Sequence, residues 1–195
     1  NPGCYATAIA LAAAPAVRGG GVDASDIVVV AASGTTGAGR TSKVNLSASE
    51  IMNSMTSYKF GGVHQHTPEI EQVTGAQILF TPHLAPMNRG IFATCYARPA
   101  KETSPTSASL VAVLARAYAK EDFVVVGQQI PSTKATFGTN VTQLTARFDE
   151  RTGYVVVLAA LDNLAKGASG GAVQAANAAL GLPEDSGLSK VGIFP

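Results

Sequence analysis

The 195 residues predict an α+β domain, a mixed and largely antiparallel sheet with helices on one face. Three observations carry this. Strand-like and helix-like runs follow one another without the strict alternation of a parallel βαβ fold. The turn Asp149-Glu150-Arg151-Thr152-Gly153 joins two strand-like runs as a hairpin. Hydrophobic residues make up 46% of the chain, enough for a sizeable core at this length.

The elements follow in order. Residues 4–17 read as a helix: Pro2 and Gly3 are loop residues, Ala6 to Ala14 favours helix, and Pro15 with Gly19 to Gly21 is expected to end it. Asp26 to Ala32 is a continuous β-branched apolar run and reads as a buried strand. A glycine-rich loop follows, from Ser33 to Arg40. Residues 41–60 are polar and irregular, with a short helix near 47–55. Thr67-Pro68-Glu69 opens a helix, with Thr67 as N-cap, Pro68 in the first turn and acids after it. Residues 77–84 and 90–98 are strands, and 107–120 is an amphipathic helix with Leu110, Val113, Leu114 and Ala117 on one face. Residues 123–126, 141–148 and 154–161 are strands. An alanine-rich helix from Lys166 to Leu180 is stopped by Gly181-Leu182-Pro183.

Chemistry concentrates in a few segments. Cys4 opens the first helix, where unpaired N–H groups and the positive end of the helix dipole favour a thiolate, so it is a candidate nucleophile. A lone cysteine near a terminus is more often an inert, small buried residue. Gly34-Thr35-Thr36-Gly37-Ala38-Gly39 follows a strand, but its glycine order is not that of a dinucleotide fingerprint, and no helix opens at its third glycine. Arg40 at its end suits an anionic substrate. His64-Gln65-His66 precedes the helix at Thr67. It reads as an acid/base pair oriented by Glu69 or Tyr58, or as solvent-facing and capping histidines. His83 is the third histidine, and no metal-ligand spacing surrounds the set. Arg89, in a proline-stiffened loop between two strands, is a second anion candidate. Asn163 offers an amide at a strand-to-helix junction whose small residues, Gly167 among them, permit close approach of a ligand or another backbone.

Composition narrows the classes. A net charge of +1 with scattered basic residues gives no reason to expect nucleic acid or a membrane surface as partner. No apolar stretch approaches the length of a membrane span. Charged residues are only 14% of the chain, which suggests a surface that is largely uncharged or is covered by another domain or subunit. Two cysteines make no disulfide framework, so a reducing, cytoplasmic setting is expected. With Asn1 first and no signal peptide, a piece of a longer protein or a processed product is expected.

The segments NPGCYATA, SGTTGAGR, GVHQHTPEIEQ, FTPHLAPMNRGI, GTN and DNLAKGASGGAVQ, in this order, resemble the C-terminal part of the N-acetyl-gamma-glutamyl-phosphate reductase family across essentially the whole chain. The relative family of aspartate-semialdehyde dehydrogenases shares the cysteine helix but has a different histidine segment. The resemblance implies NADPH-dependent reduction of N-acetyl-glutamyl 5-phosphate to the 5-semialdehyde in arginine biosynthesis, through a thioester. It implies Cys4 as nucleophile, the acid/base from His64 or His66, and a nicotinamide contact at Asn163; Tyr58 and Glu69 as substrate residues and Gly167 as a cofactor residue are expected from their positions in the sequence. Arg40 and Arg89 as substrate residues rest on charge and loop position alone. It further implies a catalytic, substrate-binding and dimerisation domain over 1–165. Residues 166–195 would form a C-terminal helix and tail packing on an N-terminal NADP-binding domain that this sequence lacks, leaving the chain alone inactive. A homo-oligomer, dimer or tetramer, and a small-molecule substrate are expected partners. The alternatives are a non-catalytic substrate-binding and dimerisation module, and a lysine-pathway paralogue.

Overall fold

The computed structural model describes residues 3–41 and 43–193. Asn1, Pro2, Ser42, Phe194 and Pro195 lie outside the described residues. Seven strands form one sheet in the order β2-β3-β1-β4-β7-β6-β5. They are β1 (Val22–Ser33), β2 (Thr56–Ser57), β3 (Ile78–Leu84), β4 (Ile91–Pro99), β5 (Val124–Val126), β6 (Thr142–Asp149) and β7 (Tyr154–Leu161). β1 pairs with β3, and β5 with β6, in parallel; the other neighbours are antiparallel. The expected mixed, largely antiparallel sheet is therefore the observed one. Among the described residues five α-helices accompany it: α1 (Cys4–Arg18), α2 (Ala48–Ile51), α3 (Thr67–Thr74), α4 (Ser107–Ala117) and α5 (Gly170–Ala179).

Alternation along each strand sorts the side chains onto two faces. Val29 of β1 stands between Phe80 of β3 and Cys95 of β4, and Cys95 in turn faces Val157 of β7. These residues form the core with Tyr5, Ile9 and Ala12 of α1, Ile70 of α3 and Leu114 of α4. The alanines of α1 let that helix lie close across the middle of the sheet. The opposite face carries Val28 and Val30, Leu79, Tyr96 and Leu158, and among the described residues no helix covers it. Val30, Leu79 and Tyr96 are 39%, 56% and 37% exposed.

Three elements depart from expectation. Pro15 lies inside α1 rather than ending it. A proline there supplies no N–H to the carbonyl four residues back, which is Leu11. The Tyr118 hydroxyl donates to that carbonyl instead, at 2.7 Å, so the lost bond is replaced from outside the helix. The helix after β7 opens with a wider π turn, Ala165–Ser169, before α5 begins at Gly170. Thr67 is the first residue of α3, with His66 as its N-cap.

Residues 166–193 fold back on the same domain. The Asn140 N–H donates to the Ser189 carbonyl (2.8 Å), and the Ile193 N–H donates to the Phe137 carbonyl (3.3 Å). Lys190 lies between Asp122 and Asp185, at 2.8 and 3.0 Å. α5 and the turn after it leave Val173, Leu180 and Leu182 exposed.

Candidate active site

A cavity of about 580 Å³ opens beside the N-terminus of α1. Cys4, Tyr5, Ser33, Tyr58, His64 and His66 line its interior, with Lys43, Asn45, Thr56, Lys59 and Gln65 around them. Residues sixty apart in sequence meet here because the segment 64–66 enters α3, and α3 packs against α1.

Cys4 is partly buried at the first position of α1, after Gly3 in extended backbone. Two opposing influences act on its thiol here. Burial raises the thiol above its ordinary value, while hydrogen bonds from the N–H groups of Tyr5 and Cys4 pull it back only in part. The cost of taking a thiolate out of water exceeds the pull of the helix start. Deprotonation therefore calls for a base at the site.

Two histidines stand ready with different surroundings. His64 is 5% exposed. Its ring meets Tyr5, Tyr58 and Phe80 edge-on, with centroids 5.6, 5.8 and 5.1 Å away. Its Nδ1 accepts the His66 backbone N–H at 3.2 Å, which leaves the proton of the neutral ring on Nε2. Burial, then His66 and Lys59, hold it down at about 4. His66 packs against Gly3, the residue before Cys4. Its Nε2 occupies the space that a Cβ on Gly3 would fill, so glycine at position 3 is what lets the ring lie beside the residue preceding Cys4. Its Nδ1 is buried without a hydrogen-bond partner. Burial lowers His66 too, against an upward pull from Glu69.

The remaining predicted residues divide sharply. Tyr58 lines the cavity, and its hydroxyl donates to the Tyr5 hydroxyl (3.3 Å), which donates to the His83 carbonyl (2.8 Å). Glu69 stands outside the cavity lining, in the first turn of α3. Gly167 is pressed on the candidate nucleophile: a Cβ there would come within 2.6 Å of the Cys4 Cβ. Lys166, one residue earlier, is anchored by Gln174 Oε1 at 2.7 Å and lies 5.5 Å from the Phe123 ring centroid, which fixes this turn.

Three further candidates, Arg89, Asn163 and Arg40, do not line the cavity. Arg89 does not line the cavity; its Nε lies 2.7 Å from both carboxylate oxygens of fully buried Asp162. That carboxylate also accepts the N–H groups of Gly138, Leu164 and Ala165, so Arg89 is part of a knot joining three loops. Asn163, 2% exposed, accepts the Gly90 N–H (2.6 Å) and donates to the Thr36 hydroxyl (3.0 Å). Two of its amide's four bonding sites thus serve the protein rather than a cofactor. Arg40 is exposed beyond the cavity lining. The positive groups at the cavity are instead Lys43 and Lys59, which the sequence reading missed together with Tyr5 and Ser33. Among the described residues no group of three His, Cys, Asp or Glu side chains is arranged to hold a metal ion.

Fold and site together define a class: an α+β domain with a thiol at a helix start, two histidines beside it and a cavity between them. The chain belongs to the family described as semialdehyde dehydrogenase, dimerisation domain, which matches residues 4–163. It is 53% identical to an N-acetyl-gamma-glutamyl-phosphate reductase of Acidothermus cellulolyticus, over all of this chain and 59% of that protein. It is 52% identical to a reductase of the same name from Salinispora arenicola, over all of this chain and 58% of that protein. The chain thus spans less than two thirds of these relatives. The fold is that of the crystal structure of aspartate semialdehyde dehydrogenase II from Vibrio cholerae, with a TM-score of 0.72 at 16% identity, over 92% of this chain and 61% of that one.

Proposed function

We propose that this chain carries the acyl-transfer site of an NADP-dependent N-acetyl-gamma-glutamyl-phosphate reductase, a cytoplasmic enzyme of arginine biosynthesis. The observation that carries the reading is the placement of Cys4 at a helix start, with the His66 ring lying on Gly3 beside it. In this reading His66 takes the thiol proton, and the sulfur attacks the carbonyl carbon of the acyl phosphate. A C–S bond forms, the C–O bond to phosphate breaks, and phosphate leaves with the electron pair. The N–H groups of Cys4 and Tyr5 stabilise the thiolate before attack. His64 is a positioning residue: by accepting the His66 N–H it holds the turn that presents the second ring.

A reduced nicotinamide, when bound, supplies the hydride that turns the thioester into an aldehyde. The described residues do not form a cradle for a dinucleotide. Gly34 to Gly39 wind into a short 3-10 turn rather than opening a helix, and Asn163 is committed to Gly90 and Thr36. The proposal for this chain is the acyl-transfer half. The exposed apolar side of α5 and its following turn fits a neighbouring cofactor-binding domain.

The test needs only this chain. Incubated with the acyl phosphate, it is expected to release phosphate and gain the acyl mass on Cys4, while a Cys4→Ala variant does neither. Equal phosphate release from both proteins would rule the thioester out. The family's dimerisation role we assign to the uncovered sheet face of Val28, Val30, Leu79, Tyr96 and Leu158. Sedimentation showing only monomer at micromolar concentration would remove that assignment.

A further inference from the structure

We infer that Lys43 and Lys59 are the anion anchor of the Cys4 cavity and make it selective for ligands that carry negative charge. The inference deepens the reading above, because an acyl phosphate of an amino dicarboxylic acid carries both a phosphate and a free carboxylate.

Three observations support it. The first is the charge of the wall. Lys43 and Lys59 line the cavity, no Asp or Glu among the described residues does, and the rest of the polar lining is neutral at pH 7, Asn45, Thr56, Ser57 and Gln65 among it. A concave site with one sign of charge concentrates counter-ions. The second is elimination within the molecule. Arg89 is held by Asp162, and Arg40 lies beyond the lining, so neither arginine competes for the role.

The third observation is the backbone at Lys59. Its φ is +46, in the left-handed region where a side chain is disfavoured and glycine is the usual occupant. Gly61 and Gly62 follow at +77 and +83, so the chain uses glycine for the same purpose two residues on. A lysine kept where glycine is easier points to a task for its side chain. That side chain is aimed: Nζ lies 3.2 Å from Gln65 Oε1, between the two histidines in sequence. Both histidine rings feel its charge.

The experiment alkylates Cys4 with two reagents that differ in charge, iodoacetate and iodoacetamide, at low ionic strength. The readout is the ratio of their rates on Cys4, which cancels any change in thiol ionisation common to both. Cys95 is buried in the sheet and serves as the internal control. Lys43→Gln and Lys59→Gln are each expected to lower the iodoacetate-to-iodoacetamide ratio about three- to tenfold, and added salt should erase the difference. Lys59→Gly is expected to lower the ratio as far as Lys59→Gln while unfolding at higher temperature, because it relieves the backbone. Ratios that stay at the wild-type value in the single variants and in the double variant overturn the anchor. Rates that fall equally for both reagents also overturn it, since they would mean a general change at Cys4. The two readings fail separately. A lost ratio with no release of phosphate from the acyl phosphate sinks the thioester and leaves the anchor standing; release with an unchanged ratio does the reverse.

Discussion

The chain's two cysteines show how much of a thiol's chemistry lies outside the thiol. Cys95 sits in the middle of β4, between Val29 and Val157 on neighbouring strands, and burial alone pushes it up to about 12. Burial is the whole of its environment's effect, so it behaves as a small hydrophobic residue. Cys4 is also raised by burial, yet two helix-start N–H groups oppose that rise, and an imidazole lies beside the preceding residue. The difference is access to a donor and a base, rather than exposure by itself. A thiol kept protonated at rest and ionised only when a base and an electrophile are both present avoids unwanted oxidation.

The strongest way to break this contrast leaves both cysteines in place. A Cβ on Gly3 would occupy the position of the His66 imidazole. Gly3→Ala is therefore expected to push the ring away from Cys4 while leaving the helix intact, since the backbone at position 3 is extended and suits any residue. Loss of a general base typically costs about a hundredfold or more. Acylation of Cys4 by the acyl phosphate, followed by intact mass, should slow by about that factor. A Gly3→Ala protein that acylates at the parent rate would take His66 out of the mechanism.

Much of the frame around this contrast was legible in the sequence, for reasons that are local. The apolar run of β1, the hairpin at 149–153 and the cysteine at a helix start each depend on residues within a few positions. What was not legible depended on distant partners. Pro15 reads as a helix stop until the Tyr118 hydroxyl is seen to serve the Leu11 carbonyl, 107 residues away in sequence. Arg89 and Asn163 look like ligands for a substrate or cofactor because their groups are polar. The fold uses them on Asp162, Gly90 and Thr36, and only tertiary structure shows those bonds already made. Lys43 and Lys59 gave no motif. They reach the cavity because the irregular segment between β1 and α3 wraps its mouth, with β2 pairing on the edge of β3. A positive φ at a lysine is likewise invisible in composition.

A smaller effect sharpens the same contrast, because His64 combines the two settings: it lines the cavity like Cys4 but is buried nearly as well as Cys95. In the folded chain it stays neutral down to about 4. In the unfolded chain a histidine titrates near its ordinary value, about 6.5. Between these values the unfolded chain binds a proton that the folded chain refuses. The sign follows from linkage: stability is fully present above about pH 6.5, falls as pH is lowered through the window, and levels off below about 4. His66, also lowered by burial, acts in the same direction. Urea unfolding across this window should show the decline. His64→Asn keeps an acceptor for the His66 N–H but has nothing to protonate, so its stability should vary less with pH. A variant as steep as the parent would mean that the decline comes from other groups. The slope that His64→Asn removes then measures how far the pocket wall behaves as protein interior, and how much of the burial that silences Cys95 also falls on the residues around Cys4.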